Sequence, residues 1–130
     1  MMKTSEWRKL YKQAVAVCRE REVSDLIFVG GVAAAVLTQH GNIYTGISVD
    51  TACSVGYCAE RNAIGSMLTD GETVIKKVVA VKGDQIIMPC GVCREFMMQL
   101  GGDNRKLEVL TNLNPIHTVI LSELNPNYWA

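Results

Sequence analysis

The sequence predicts an α/β fold, a three-layer α/β/α sandwich with a mixed, roughly five-stranded sheet, carried as a single domain over residues 1–130. Three observations predict it. Helix-period and strand-period apolar patterns alternate along the chain, as a sheet covered by helices on both faces requires. Apolar residues make up 48% of the chain and charged residues 20%, which allows a sizeable core and disfavours disorder. The length of 130 residues suits one core, since domains commonly hold about 100 to 150 residues.

Taking the elements in order, Trp7, Leu10, Tyr11, Ala14, Val17 and Cys18 recur at helical spacing and predict a helix with one buried face over Ser5 to Glu22. Thr4 or Ser5 would cap it. Gly30 and Gly31 lead into an apolar run from Val32 to Leu37. A polar segment from Thr38 to Asn42 follows, then a second apolar run from Ile43 to Val49. Two such runs around a short segment containing Gly predict an antiparallel hairpin, and the alanines of its first strand suit a tightly covered sheet face. Asp50 to Tyr57 reads as loop. Ala59, Ala63, Ile64, Met67 and Leu68 then predict a helix over Cys58 to Leu68 that stops at Asp70-Gly71.

A strand is expected from Lys77 to Val81. Met88-Pro89 opens a helix over Cys90 to Leu100, with Val92, Phe96, Met97 and Leu100 on its apolar side and Gly101-Gly102 closing it. Leu107 to Thr111 and Thr118 to Leu121 are expected strands, the second alternatively a short helix, and Pro126 to Trp129 reads as irregular.

Lys plus Arg (13) equals Asp plus Glu (13), and no block of like charge stands out, so a nucleic acid polymer is not expected as a partner. The N-terminal segment is charged and amphipathic, and no apolar run approaches the roughly 20 residues of a membrane span. The expectation is a cytoplasmic protein with reduced thiols and no membrane partner. Five cysteines, an odd number gathered partly into two clusters, fit metal binding better than a disulfide framework.

Cys58-Ala59-Glu60 and Pro89-Cys90-Gly91-Val92-Cys93 each fall where a helix begins. Positions i and i+3 share a helix face, so Cys90 and Cys93 can aim at one point. Three thiolates with one open position is the arrangement of a catalytic zinc, and helix N-termini favour deprotonated sulfur. Three thiolates overcompensate Zn²⁺, so a nearby cation is useful. Arg61 and Arg94 each directly follow a motif residue, and at least one is expected to donate to a ligand sulfur. Glu60 is placed to take a proton from water activated by the metal, pass it to a ring nitrogen and then protonate departing ammonia, the proton inventory of a hydrolytic deamination.

Other readings of the same residues exist. Cys53 with Cys58, Cys90 and Cys93 would make a closed four-cysteine structural zinc site in a non-enzymatic binding module, which leaves Glu60 and Pro89 without a role. A redox pair at Cys90 and Cys93 would leave Cys58 and Glu60 idle. His40 and His117 read as surface or structural, and Cys18 as a buried helix residue.

Cys58-Ala59-Glu60-Arg61 followed by Pro89-Cys90-Gly91-Val92-Cys93-Arg94 resembles the zinc signature of the cytidine deaminases. The resemblance runs roughly from Val32 to Thr111 and takes in Tyr44-Thr45-Gly46. It implies the cytidine deaminase fold, Zn²⁺ on Cys58, Cys90 and Cys93, and Glu60 as the catalytic residue. The implied activity is that of a hydrolase of nucleoside metabolism, of the pyrimidine salvage type. Its substrate would be a cytosine nucleoside: cytidine, deoxycytidine or a sugar-modified analogue such as blasticidin S. It implies, too, a homotetramer or homodimer whose active sites borrow residues from neighbouring subunits.

Ser48, Asp50 and Ala59 are the implied substrate contacts. Ser48 and Asp50 stand where family members usually carry an Asn and a Glu that hold the ribose hydroxyl, so the reach is shorter here. The aromatic residue that usually lines the base pocket is replaced by Gly30, with Phe28 nearby but out of register. The overall length and the Asn127-Tyr128-Trp129 tail are similar to blasticidin S deaminase. Tyr128 or Trp129 would line a pocket; alternatively, Trp129 packs on a subunit interface or on its own core.

Overall fold

Three successive alanines in one strand leave room for helices on both faces of a sheet, and the chain is built around that strand. In the computed structural model, which describes residues 2–130, α1 (Met2–Val17) is followed by β1 (Arg21–Glu22), β2 (Ile27–Thr38), β3 (Ile43–Thr51) and α2 (Ala59–Thr69). Then come β4 (Ile75–Lys82), β5 (Gln85–Ile87), α3 (Gly91–Gln99), β6 (Glu108–Leu113) and β7 (Ile116–Ile120), with short 3-10 turns at Gly102–Lys106 and Leu121–Leu124.

β2 carries the alanines and lies inside the sheet, antiparallel to β3 on one edge and to β4 on the other. β4 continues parallel to β6, which turns back antiparallel into β7. The five long strands therefore form the predicted mixed sheet. Two short strands extend it: β1 pairs with Phe28 and Val29, and β5 folds back on Ala80 to Lys82. Strands of two and three residues are too short to show a period, which is why the sequence pattern does not reveal them.

Trp7, Leu10 and Ala14 of α1 bury one sheet face against Ala33, Ala35, Leu37, Val79, Val81 and Leu110. Ala63, Ile64 and Met67 of α2, with Cys93, Met97 and Met98 of α3, bury the other against Val36, Val78 and Val109. Each large apolar side chain so buried contributes about 1.5–3 kcal/mol relative to exposure. The three layers are those predicted. No helix among the described residues is long and apolar enough to cross a membrane.

The boundaries differ from expectation in instructive ways. α1 starts at Met2 and ends at Val17, so Thr4 and Ser5 lie inside it, and Cys18 sits just beyond it, half-buried, with its Sγ 3.5 Å from the Gly30 carbonyl oxygen. The chain leaves the helix there because Arg21 and Glu22 are drawn into the sheet by β2. β2 begins at Ile27, well before Val32, because Gly30 and Gly31 form a bulge opposite Ser48 within the strand. Gly30 has φ +83° and lies against the Arg19 carbonyl with no room for a Cβ, so an aromatic side chain could not stand at this position. Asp50 and Thr51 belong to β3, and Tyr57 returns from the loop to exchange hydrogen bonds of 2.9 and 3.0 Å with Val49. The C-terminal ambiguity resolves into both alternatives, a strand and then a 3-10 turn.

What places α2 is its approach to β3. Gly46 lies so close to the first turns of α2 that a Cβ would strike the backbone at Ala59, Asn62 and Ala63. Asn62 Nδ2 fastens the contact by donating to the Ile47 carbonyl at 3.0 Å. Gly46→Ala is therefore expected to lower the unfolding free energy by about 1–3 kcal/mol, the usual cost of overpacking. Urea denaturation followed by circular dichroism measures this; a variant as stable as the parent would show that α2 can withdraw freely.

Candidate zinc centre and active-site cleft

Cys58 is the N-cap of α2 and Cys90 the N-cap of α3, both with extended backbone (φ −77°, ψ 156° and φ −69°, ψ 167°) and neither making a side-chain cap bond. Their thiols are thus free to turn toward each other. Cys93 follows one turn into α3 and is buried. The three Sγ atoms lie within 4.8 Å of one another, with Cys58 and Cys90 3.4 Å apart. Three soft donors converging on one point fit zinc in a site with one position left open.

Cys53 does not join them. It is exposed on the loop after β3, where its carbonyl accepts a hydrogen bond from Thr51, and the group that could hold a metal comprises Cys58, Cys90 and Cys93. The closed four-cysteine site is not formed. His40 lies in the exposed turn after β2, and His117 Nδ1 is 2.6 Å from Thr111 Oγ1 on the far strands. Both are outside the cluster.

The electrostatics of the cluster favour a cation. Burial pushes the Cys58 and Cys93 thiols up, Cys93 further because the Glu60 carboxylate stands beside it. Burial acts upward on Cys90 too, but the backbone N–H groups of Cys93 and Val92 and the neighbouring thiols bring it below its ordinary value. Glu60 is 3% exposed, and burial drives its carboxyl above the usual carboxylate range against the opposing effects of its own backbone N–H and Arg61. A divalent cation would relieve this crowding of acidic groups.

The two arginines part company. The sulfurs of Cys58 and Cys93 lie close enough to the Arg61 guanidinium to raise its affinity for its proton, while the buried Arg61 Nε has no hydrogen-bond partner. Arg94 instead turns its Nε to the Pro89 carbonyl oxygen at 2.8 Å and braces the turn into α3. Of the pair expected to balance charge, Arg61 is the one beside the sulfurs; Arg94 follows Cys93 on the helix and is drawn off by the Pro89 carbonyl.

Beside the cluster opens a cleft of about 590 Å³. Ser48, Asp50, Ala59, Glu60 and Arg61 all line it, together with Cys58 and Cys90. Alternation along β3 explains the first two: Gly46, Ser48 and Asp50 share the face that α2 covers. Ser48 Oγ already accepts the Val32 N–H at 2.9 Å. Lining residues that the sequence reading does not single out are Lys82, Tyr57, Ile87 and Met88. Lys82 could have been found from the period of two running through Val78 and Ala80. The others carry no local signal.

Tyr128 and Trp129 lie elsewhere. The Tyr128 hydroxyl and the Trp129 Nε1–H (3.0 Å) both donate to Glu95 on α3, Arg105 stands over the Tyr128 ring at 5.1 Å, and neither aromatic lines this cleft.

Residues 4–108 match the family model described as the cytidine and deoxycytidylate deaminase zinc-binding region. A cytidine deaminase of Sporosarcina psychrophila is 33% identical over 102 residues, covering 76% of this chain and 74% of that protein. A probable cytidine deaminase of Dictyostelium discoideum is 36% identical over 73 residues, which span 54% of this chain and 50% of the relative's length. Among solved structures, cytidine deaminase from Burkholderia pseudomallei superposes with a TM-score of 0.74 at 28% identity, covering 94% of this chain and 98% of that one.

The geometry sets an expected order of zinc affinities. Cys93→Ala should lose stoichiometric zinc after gel filtration, and Arg61→Gln should weaken binding about 10- to 100-fold, the usual range for a residue that supports a metal ligand. Arg94→Gln should weaken it less. Competition against a chromophoric chelator measures all three, and equal losses in the two arginine variants would mean that Arg61 has no special hold on the sulfurs.

Proposed function

We propose that this chain, which belongs to the cytidine and deoxycytidylate deaminase family and is a zinc-dependent enzyme of that family, hydrolyses the C4–N4 bond of a cytosine nucleoside. Ammonia and the uracil nucleoside are the products. The observation that carries the reading is the burial of the Glu60 carboxyl in the wall of the cleft where the sulfurs of Cys58, Cys90 and Cys93 converge.

Zinc held by those three sulfurs supplies a Lewis acid that makes water a nucleophile near neutral pH. Glu60 takes a proton from the attacking water and delivers it to N3 of the ring as the new C4–O bond forms. It then moves the remaining hydroxyl proton to the amine, and the C4–N4 bond breaks with release of ammonia. The pyrimidine keeps the proton on N3, so protons and electrons balance. A carboxyl raised by burial is suited to this exchange, because it both accepts and returns a proton readily.

Arg61 keeps the sulfurs anionic without itself entering the reaction. Ala59 lines the cleft beside Glu60, and its small side chain leaves room for the ring. Ser48 offers a hydroxyl hydrogen, its oxygen being engaged by Val32, and Asp50 offers a carboxylate; together they receive the sugar or its replacement. A sugar-modified analogue such as blasticidin S is compatible with this shorter pair. The chain is taken to fold as one domain, to work in the cytoplasm, where its free cysteines stay reduced, and to assemble as a homotetramer or homodimer. The 75% exposure of Trp129 supports an assembly.

Ammonia release by the zinc-loaded protein from cytidine, deoxycytidine, cytosine, blasticidin S and guanine tests the reading. Release from a cytosine nucleoside supports it, whereas silence across the panel with zinc bound would overturn it. Glu60→Ala is expected to lower kcat by about 10²–10⁴-fold while zinc stays bound. Retention of about a tenth or more of the parent rate, well above the roughly one hundredth that the smallest such effect leaves, would place the proton transfer on another group.

A further inference from the structure

Lys82 is a feature of the cleft that the deamination chemistry leaves unused. Val79 and Val81 of β4 pack toward α1, whereas Val78 and Ala80 face the layer of α2 and α3. Strand alternation therefore turns Lys82 to the cleft side, one pleat beyond Ala80, which packs with Ala59 next to Glu60. The pairing of Ala33 with Val81 sets Lys82 alongside Val32, at the end of the bulge in β2. The neighbouring wall is Gly31, where a Cβ would meet nothing nearer than Ser48 Oγ at 3.8 Å. This part of the cleft is thus open as well as charged.

The ammonium makes no ion pair among the described residues, whose salt bridges are Lys3–Glu108 and Lys77–Glu6. Arg61, the other cation of the cleft, is engaged by the zinc-ligand sulfurs. A substrate that covered Lys82 with a neutral group would bury a charge without a partner, which is costly. One that brought an anion would gain a charge-assisted hydrogen bond at the same place. The difference between those two costs is a basis for selection.

We propose that Lys82 is a specificity residue that selects substrates carrying an anionic group, a phosphate or a carboxylate, on the sugar side of the nucleoside. The proposal rests on the deaminase reading for the reacting base and on Lys82 for the charge. Direct binding separates the two. Calorimetry with the zinc-loaded full chain compares uridine with uridine 5′-monophosphate and uridine 5′-carboxylate, and ammonia release is followed from the three matching cytidine compounds.

At least one charged product is expected to bind about tenfold or more tighter than uridine, an advantage of the size of one charge-assisted contact. The rank of phosphate against carboxylate shows which anion the cleft takes. Lys82→Gln should reduce the advantage to within about threefold, Lys82→Arg should keep most of it, and rising salt should shrink it in the parent. In turnover the loss should appear in KM and leave kcat for the charged substrate near the parent value. If no cytosine compound releases ammonia while charged products still bind through Lys82, the selectivity stands and the deaminase reading falls. Equal binding of charged and neutral products, or a preference untouched by Lys82→Gln at parental zinc content, overturns the proposal even where turnover is brisk.

Discussion

The site depends on how closely the first turn of α2 can approach β3. At Gly46 the two backbones meet with no side chain between them, and the Asn62 amide ties the helix to the Ile47 carbonyl on the next residue of the strand. That contact fixes where Cys58 and Glu60 stand, because both belong to the end of α2 that it holds. α3 reaches the same place by another route. Pro89 ends the short strand segment, Arg94 clasps its carbonyl, and the first turn presents Cys90 and Cys93 on one side. Two helix starts on one sheet face then suffice to gather three sulfurs from distant parts of the chain.

Such a gathering is unfavourable unless something offsets it. Burial opposes charge on Cys58, Cys93 and Glu60 alike, and Glu60 makes Cys93 harder still to ionise. The helix-start N–H groups ease Cys90, and Arg61 spans Cys58 and Cys93. The apolar contacts of Met67, Met97 and Ile64 hold the layer together behind them. The core thus supplies the free energy that keeps mutually repelling donors in register, an economy in which zinc is the remaining partner.

The parts of this arrangement that were legible in the sequence are those carried by local patterns. The cysteine spacing at Cys90 and Cys93, the Pro89 and Gly101 punctuation of α3 and the apolar periods of α2 and β4 all act over a few residues, and each predicts what forms. What stayed hidden depends on tertiary pairing. β1 exists because β2 offers Phe28 and Val29 as partners, and this recruitment is what ends α1 at Val17. Arg94 and Arg61 look equivalent beside their motifs, yet one finds a backbone carbonyl and the other finds sulfur. The period of β4 gives the face of Lys82, but its place beside Val32 at the end of the bulge comes from the register of β4 against β2, which no window of sequence contains.

The bulge in β2 ties together the residues that depart from the family pattern at Gly30 and Ser48. Gly30, Gly31 and Val32 stand opposite the single residue Ser48, so the Val32 N–H falls outside the regular ladder. A partly buried donor without a partner would be costly, and Ser48 Oγ supplies the acceptor at 2.9 Å. A short hydroxyl side chain fits that duty, and a longer amide would have to reach past the N–H rather than to it. Gly30, in turn, is required by its positive φ and by the Arg19 carbonyl pressed against it. Gly31 then leaves open the wall beside Lys82. Gly30 in place of an aromatic, the short side chain at residue 48 and the open wall beside Lys82 therefore meet at one bulge, and a ligand that suits this cleft must answer to all three together.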